Sequence, residues 1–501
     1  MSLHPSSRVR VAAALLGAAA CLLIAIVVTA ARPSSVAGAG PRSTEATPAP
    51  TATPSPPVGA RRRVAIQTIP PVPTSAPTAG PTATPHPTAT PAPTSGLPVL
   101  GSGGRVSGSI TFYGRGYGHG VGMSQYGARG RALAGQSAET ILAHYYRSTT
   151  ISSVSPTTAV RVLLMTGFAP TTAAPLVLHA RSGTWSVDGI AGTWPADAKV
   201  TLAPTISGGG ATWRLTIASS SGSALLSTTS CCSIRLRPEQ SSTRFQVDSK
   251  PTLYDTYRGV IRVYGTPSTI KVVNEVGLDL YLRGVVPSEM PSTWPSQALR
   301  VQAIAARSYA VAHLHPTTGG WDVYDDTRSQ VYHGTKGEQA TTDVAIDGDE
   351  GTVLRYGSTV ISAMFHSAGG GATESNEYAF PSASGSVVSS PVAYLRGSSD
   401  RTPDGTPYDA ASPYATWRSA TWTIAQLSSY LARDSRTNVG TLSSIDLSHR
   451  GVSGRLYRVT LTGSLGTKSV SGDIFRAVVN AWKPAADASL RSNLFDLAPI
   501  G

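Results

Sequence analysis

One acidic side chain, Glu289, stands where a carboxyl group could do chemistry by itself, flanked by Val285, Val286, Met290 and Trp294. Burial beside apolar groups disfavours the ionised form, so such a carboxyl has a raised pKa and can donate a proton near neutral pH. The plainer reading of the same residue is a glutamate in the first turn of a helix, favoured there by the macrodipole. A second carboxylate for paired acid and base work would come from Asp325, Asp326 or Glu374. His119, Ser124 and Gln125, within GHGVGMSQYG, suit either substrate contact or the buttressing of Glu289. His119, His333 and His366 raise the question of a metal, but neither H-E-x-x-H spacing nor a cysteine pair accompanies them, so no metal and no cofactor is expected. Met123 breaks the G-x-S-x-G elbow that a serine hydrolase would need around Ser124.

Two elements must position Glu289. Leu282 to Val286 is β-branched and apolar and reads as a short strand ended by Pro287, while Pro291 and Pro295 delay any helix to about its first turn. From Thr293, the expected N-cap, neither glycine nor proline interrupts the chain until Pro316, which predicts a long helix. Its alanines at 298, 303, 305, 306, 310 and 312 allow close neighbours, so the expected strand-to-helix joint is a rigid mount. On that helix Gln302, Arg307 and Tyr309 form either a buried polar network or a set of substrate contacts. Gln330 and Tyr332 alternate on a predicted strand and are placed to line a groove. Glycines at 114, 116, 118, 120 and 122 would share one face of a strand, giving a groove floor that a flat sugar ring can approach. Helices are predicted from Ser124 to Leu133 and from Ser137 to Tyr146. The run Gly369 to Gly371 predicts a tight loop at a strand end, displaying His366 and Ser367. Tyr117, Tyr126, Trp294 and Trp321 either stack on sugars or fill a core.

Around this centre, residues 158–280 read as short alternating strands paired antiparallel, and 380–420 as a turn-rich surface loop. TWTIAQLSSYLAR and SGDIFRAVVNAW read as helices, DLSHRGVSGRLYRVTLTG as a hairpin, and the final LRSNLFDL as a closing strand. Residues 32–107 are a different material: 17 of the 37 prolines fall between 33 and 98, with PTATP repeated from Pro50, Pro81 and Pro87. So few large apolar groups cannot offset chain entropy, and a disordered, semi-extended linker is expected. Ahead of it, Arg8 and Arg10 precede an uncharged stretch from Val11 to Ala31, which fits either a membrane anchor or a signal peptide. On both readings 1–31 directs the rest of the chain out of the cytoplasm, to be secreted into the wall or held at the membrane. The net charge of +13 suits an anionic surrounding such as wall polymers or lipid head groups; no basic run with interleaved aromatics supports nucleic acid as a partner. Three cysteines make no disulfide framework, and the adjacent Cys231 and Cys232 read as buried thiols.

YLRGVVPSEMP with ALRVQAIAARSYA, SQVYHG, FHSAGGGATES, GHGVGMSQYGA with ILAHYY, and SGDIFRAV with LRSNLFDL together resemble the stage II sporulation protein D family, whose relatives include amidase enhancers of the bacterial wall. The resemblance covers about residues 110–500 and leaves out the anchor and linker. It implies an α+β domain, 108–500, with a mixed, largely antiparallel sheet and a long central helix, its β-rich portion at 158–280 and its core at 281–500. It implies lytic transglycosylase activity on peptidoglycan glycan strands, with Glu289 as general acid and then base. Substrate-binding positions would be His119, Ser124, Gln125, Tyr126, Gln302, Arg307, Tyr309, Gln330, Tyr332, His366 and Ser367. Two alternatives stay open: an enhancer that binds glycan and recruits a wall amidase without cutting, and a two-carboxylate hydrolytic muramidase. The chain departs from the family in order, with GHGVGMSQ ahead of the Glu289 motif instead of after it, and it lacks the cysteine of the zinc site that some members carry after the central helix.

Overall fold

Apolar residues of the N-terminal half recur with period two, and this decides the scaffold. Leu176, Leu178 and Ala180, then Val200 and Leu202, then Trp213, Leu215 and Ile217 all turn inward into one core. The computed structural model describes residues 100–207, 210–230, 232–315 and 320–500. The expected anchor or signal segment at 1–31 and the linker up to residue 99 lie outside the described residues.

A six-stranded sheet runs in the order Ala224–Ser230, Gly210–Ala218, Lys199–Ser207, Leu176–Ser182, Arg244–Val247, Thr256–Tyr257. A seven-stranded sheet runs Val323–Tyr324, Ala159–Phe168, Thr269–Gly277, Val260–Thr266, Ser233–Pro238, Trp185–Val187, Ile190–Trp194. Their pairings are antiparallel except that Val323–Tyr324 lies parallel to Ala159–Phe168. Inward side chains of both sheets share the same core, so the β-rich portion is two layers packed face to face. A smaller four-stranded sheet, Gly103–Arg105, Leu442–Asp446, Val459–Gly463, Gly466–Val470, covers a second core around Phe112, Trp422, Phe475 and Phe495. Composition alone puts 103–105 in the linker; in the structure they form its edge strand, because the backbone of Leu442–Asp446 offers them hydrogen bonds.

Helices in chain order are α1 Gln125–Leu133, α2 Ala138–Tyr145, α3 Leu278–Glu289, α4 Ser296–Ala312, α5 Ala340–Gly348, α6 Asn376–Ala379, α7 Ile424–Leu431 and α8 Gly472–Trp482. Ser124, Ser137 and Ser471 cap α1, α2 and α8 with their hydroxyls, and Thr423 with Gln426 forms a capping box on α7. The largest departure is α3, where a strand is expected. Leu278, Tyr281, Leu282, Val285 and Val286 fall at i, i+3, i+4, i+7 and i+8, all buried, and that helical stripe outweighs the β propensity of two valines. Pro287 is accommodated inside α3 near its end, where it removes one backbone donor.

The long central helix is α4, starting at Ser296 after Pro295 with no side-chain cap, so Thr293 does not take the capping role. Ala303, Ala306 and Ala310 face the β-sandwich core; Val301, Ile304 and Ala305 face a third core with Val121, Met123 and Ile141; Ala298 and Leu299 meet Met290 and Ala345. A helix buried on every side needs small residues, which explains the alanines.

Three further expectations change. Residues 330–333 form an irregular loop instead of a strand. The 380–420 segment is loop as expected but carries the buried carboxylates Asp400 and Asp409. Cys232 is exposed with φ of 71°, not a buried thiol, and Cys231 lies outside the described residues. Among the described residues no helix is long and apolar enough to cross a membrane.

Candidate active site

Glu289 is the last residue of α3, so the first-turn reading is reversed. At a helix C-terminus the macrodipole opposes a negative charge, acting in the same sense as burial. Its Oε1 accepts a hydrogen bond from the Val331 backbone N–H at 2.7 Å. Burial pushes the carboxyl up to about 7, against the Val331 N–H and the Gln125 side-chain amide, which both favour the carboxylate. The side chain is only partly buried, packed closely enough to be desolvated yet open to an incoming group.

Val331 is presented by a loop whose neighbours are bolted down. Tyr281 donates to Gln330 Oε1 at 3.2 Å, Gln330 Nε2 reaches Ala306 O at 3.4 Å, and Tyr332 donates to Asn274 Oδ1 at 2.8 Å. The Tyr332 ring lies against Gly284 of α3, where a Cβ would come within 2.6 Å of it. Gln330 and Tyr332 are therefore buried anchors and do not line a groove. Arg307 is likewise internal: 0 % exposed, it bonds Asp279 at 2.7 Å and the carbonyls of Thr352 and Ile346. Gln302 is fully buried, with Oε1 facing Gln125 Nε2 at 3.3 Å. Tyr309 stays partly exposed and lies close enough to Glu289 that a carboxylate there raises its hydroxyl pKa, after the larger effect of burial.

The alternating glycines form no open floor. Gly116, Gly118, Gly120 and Gly122 all have positive φ, and at Gly122 a Cβ would stand 2.0 Å from Met364 O. The segment is threaded between its own neighbours, so its backbone can bring Met123–Ser124 parallel to Phe365–His366. Ser124 Oγ accepts from Gly127 N and Gly369 N, each at 3.1 Å, tying α1 to the Gly369–Gly371 loop. Ser367 O accepts from Tyr126 N at 3.0 Å. His119 accepts from Val121 N through Nδ1 at 3.0 Å, its ring 5.5 Å from that of His366. Burial, with Arg455 adding to it, holds His119 near 4, and burial keeps His366 well below its ordinary value, so both are neutral. His119, Ser124, His366 and Ser367 thus build the mount of α1, and α1 delivers Gln125, whose Nε2 donates to Glu289 O at 2.9 Å. The motif that stands early in this chain reaches Glu289 after all.

The possible second carboxylates are occupied elsewhere. Asp325 pairs with Lys250 at 2.5 Å and Asp326 with Arg328 at 2.8 Å. Glu374 is fully buried, accepting from Ser375 N, Val452 N and the Ser453 hydroxyl. His333 stacks on Tyr254 at 3.5 Å and meets Ser288 Oγ at 2.8 Å. Sequence reasoning missed Val331, whose contribution is a backbone N–H that no residue type announces, and Asp279 and Asn274, which read as ordinary polar positions.

Residues 266–356, which contain α3, α4 and the Val331 loop, match the family Stage II sporulation protein, SpoIID. This segment belongs to the SpoIID family. The chain is 39 % identical over 119 residues to the amidase enhancer of Bacillus subtilis, 24 % of this chain and 15 % of that protein. It is 33 % identical over 139 residues to stage II sporulation protein D of Bacillus subtilis, 25 % of this chain and 40 % of the relative. Stage II sporulation protein D of Bacillus amyloliquefaciens is 52 % identical over 153 residues, 27 % and 43 % of the two chains. The chain therefore spans less than half the length of these curated relatives. No solved structure matches it.

In the SpoIID segment Glu289 is tuned from outside by Gln125. Removing that amide in Gln125→Leu takes away a group that favours the carboxylate, so the Glu289 pKa is expected to rise further. Carboxyl carbon NMR titration of the two proteins reads this directly; a value unchanged or lower would show that Gln125 holds only the backbone.

Proposed function

We propose that this chain cuts the glycan strands of peptidoglycan by a non-hydrolytic, lytic transglycosylase route, outside the cytoplasm, with Glu289 as the only acid and base. The observation that carries this reading is that Glu289 is the one partly exposed carboxyl among the described residues held at about 7, while Asp325, Asp326 and Glu374 are engaged elsewhere. An ordinary glycosidase needs a second carboxylate to activate water or to attack. A transglycosylase does not. Protonated Glu289 gives its proton to the glycosidic oxygen as the bond from C1 of N-acetylmuramic acid breaks. The resulting carboxylate then takes the proton of the C6 hydroxyl as that oxygen bonds C1, leaving a 1,6-anhydro ring and a regenerated acid. Val331 N–H and Gln125 steady the carboxylate stage, and burial favours the acid stage.

A second reading is favoured by the similarity to the amidase enhancer: the domain binds glycan and stimulates a wall amidase without cutting. Mass spectrometry of soluble products from purified glycan strands incubated with the full chain separates the readings. Anhydro ends support the transglycosylase, reducing ends indicate hydrolysis, and intact strands that still bind the protein leave the enhancer.

A further inference from the structure

The outward face of the seven-stranded sheet carries an excess of positive charge that plays no part at Glu289. Alternation with the core positions puts Arg235 of Ser233–Pro238, Arg262 and Tyr264 of Val260–Thr266, and Lys271 and Glu275 of Thr269–Gly277 on this face. The register makes Arg235 the direct cross-strand partner of Arg262, and Lys271 that of Tyr264. Like charges directly opposite destabilise a sheet. Both arginines also line an open depression of about 400 Å³, together with Asp188, Ser233 and Ile234.

The carboxylates nearby do not balance this charge. Asp188 is taken by Arg237 and Asp322 by Arg161. Arg235 and Arg262 share Glu275, the first at 2.9 Å and the second only at 3.9 Å. Lys271 meets no carboxylate among the described residues; it lies over the rings of Tyr264 and Trp321, at 5.7 and 5.6 Å from their centroids, while Arg262 lies over Tyr264 at 4.6 Å. Three cations on three adjacent strands therefore face one carboxylate, and stacking on rings holds two of them in place. Like charges kept side by side carry a cost that a bound anion removes.

We propose that this face binds a phosphodiester-linked wall polymer, a chain of polyol phosphates, and so holds the protein in the wall apart from the cleavage site. This rests on the extracytoplasmic part of the reading above and not on cleavage. Lys271 stands diagonally across from Arg262, about 7–8 Å away at the backbone, and Arg235 follows on the next strand, so the cations recur along a line as charges do along a polyanion. The guanidinium fork takes two phosphate oxygens at once. Nucleic acid fits less well, because its bases need free aromatic faces, and those of Tyr264 and Trp321 are occupied by Arg262 and Lys271. A bilayer fits less well too: among the described residues none of the large exposed apolar side chains lies on this face, so nothing there enters lipid.

The test measures equilibrium binding of the full chain to purified poly(glycerol phosphate) over a range of salt. Wild type is compared with Arg262→Gln/Lys271→Gln, which leaves the Arg235–Glu275 pair in place, and with Lys199→Gln/Arg214→Gln, which removes two charges from the exposed face of the other sheet. The first variant is expected to bind about tenfold more weakly, with the slope of log Kd against log salt reduced by about 1.5, while the second stays within about twofold of wild type. Equal loss in both means attraction by net charge alone and overturns the proposal, as does unchanged binding in the first. Tighter wild-type binding to single-stranded DNA of equal charge, or to phosphatidylglycerol vesicles, gives the face to nucleic acid or lipid and overturns it too. Chemical denaturation checks that both variants fold; should the first not fold, Lys271→Gln alone repeats the comparison at one charge, with an expected loss of about threefold. Cleavage of polymer-free glycan strands is expected to be the same in wild type and both variants. Polymer binding that depends on Arg262 and Lys271 without any cleavage supports the proposal while overturning the transglycosylase reading.

Discussion

Glu289→Gln is expected to abolish glycan cleavage, lowering the rate at least about a thousandfold, and at the same time to stabilise the folded chain above pH 7. The amide keeps an oxygen to accept the Val331 N–H but can neither give nor take a proton, so both halves of the reaction fail. The stability effect follows from the direction of the pKa shift. Folding raises the carboxyl from 4.5 to about 7, so between those values the folded chain holds a proton that the unfolded chain has lost. Stability therefore falls as pH rises through this window; the penalty is absent below about 4.5 and complete above 7. For a partly open group it amounts to an order of 2 kcal/mol, which glutamine removes. Chemical denaturation of both proteins at pH 4.5 and pH 8 should show curves that coincide at the lower pH and a more stable variant at the higher. In the wild type kcat/KM should fall above about pH 7, where the acid form is lost. A variant that is less stable at pH 8 would make Glu289 a structural residue instead.

That trade between stability and chemistry was partly legible in the residues. Val285, Val286, Met290 and Trp294 announce a desolvated carboxyl, and the structure keeps that prediction while moving Glu289 from a strand-to-helix joint to the end of α3. The spacing of Leu278, Tyr281, Leu282, Val285 and Val286 carries the helix, but two valines and a proline carry opposite local preferences, and burial on one stripe decides. The helices expected from Ser124 and Ser137 are α1 and α2, each beginning one residue later because the serine caps the first turn from outside. The five alternating glycines are ambiguous at the level of composition. Period two fits a strand face, yet positive φ at four of them makes a close-packed thread, and only the partners Met364, His366 and Arg455 reveal which. Gln302, Gln330 and Tyr332 show the same limit. A polar residue in a motif is equally suited to a substrate and to a buried network, and here each bonds protein.

The fold also explains how a motif can occupy a different place in the sequence and still serve Glu289. Coupling passes from the Gly369–Gly371 loop to Ser124, along α1 to Gln125, and then to the Glu289 carbonyl. Each link is a hydrogen bond between elements brought together by α4 and the third core. Contact requires that the elements meet in space, and the order in which the chain visits them is secondary.

Arg307→Leu is expected to destabilise the chain by about 3–5 kcal/mol at neutral pH while leaving kcat/KM of the folded fraction unchanged. Arg307 is 0 % exposed and cannot touch a sugar without unfolding of its surroundings. Its guanidinium satisfies Asp279 in the first turn of α3 and two carbonyls, Thr352 O at 3.1 Å and Ile346 O at 3.2 Å. Leucine fills much of the space but leaves a carboxylate, only 13 % exposed, without its cation and both carbonyls without donors. Restoration by a second change separates charge from packing. Asp279→Leu added to Arg307→Leu removes the orphaned charge and should recover about 2 kcal/mol, so the double variant is more stable than the sum of the singles. Chemical denaturation of the four proteins gives the coupling energy. If Arg307→Leu instead lost glycan binding with its unfolding midpoint intact, the arginine would have to reach the ligand, and α4 would be part of the groove and not the wall behind it.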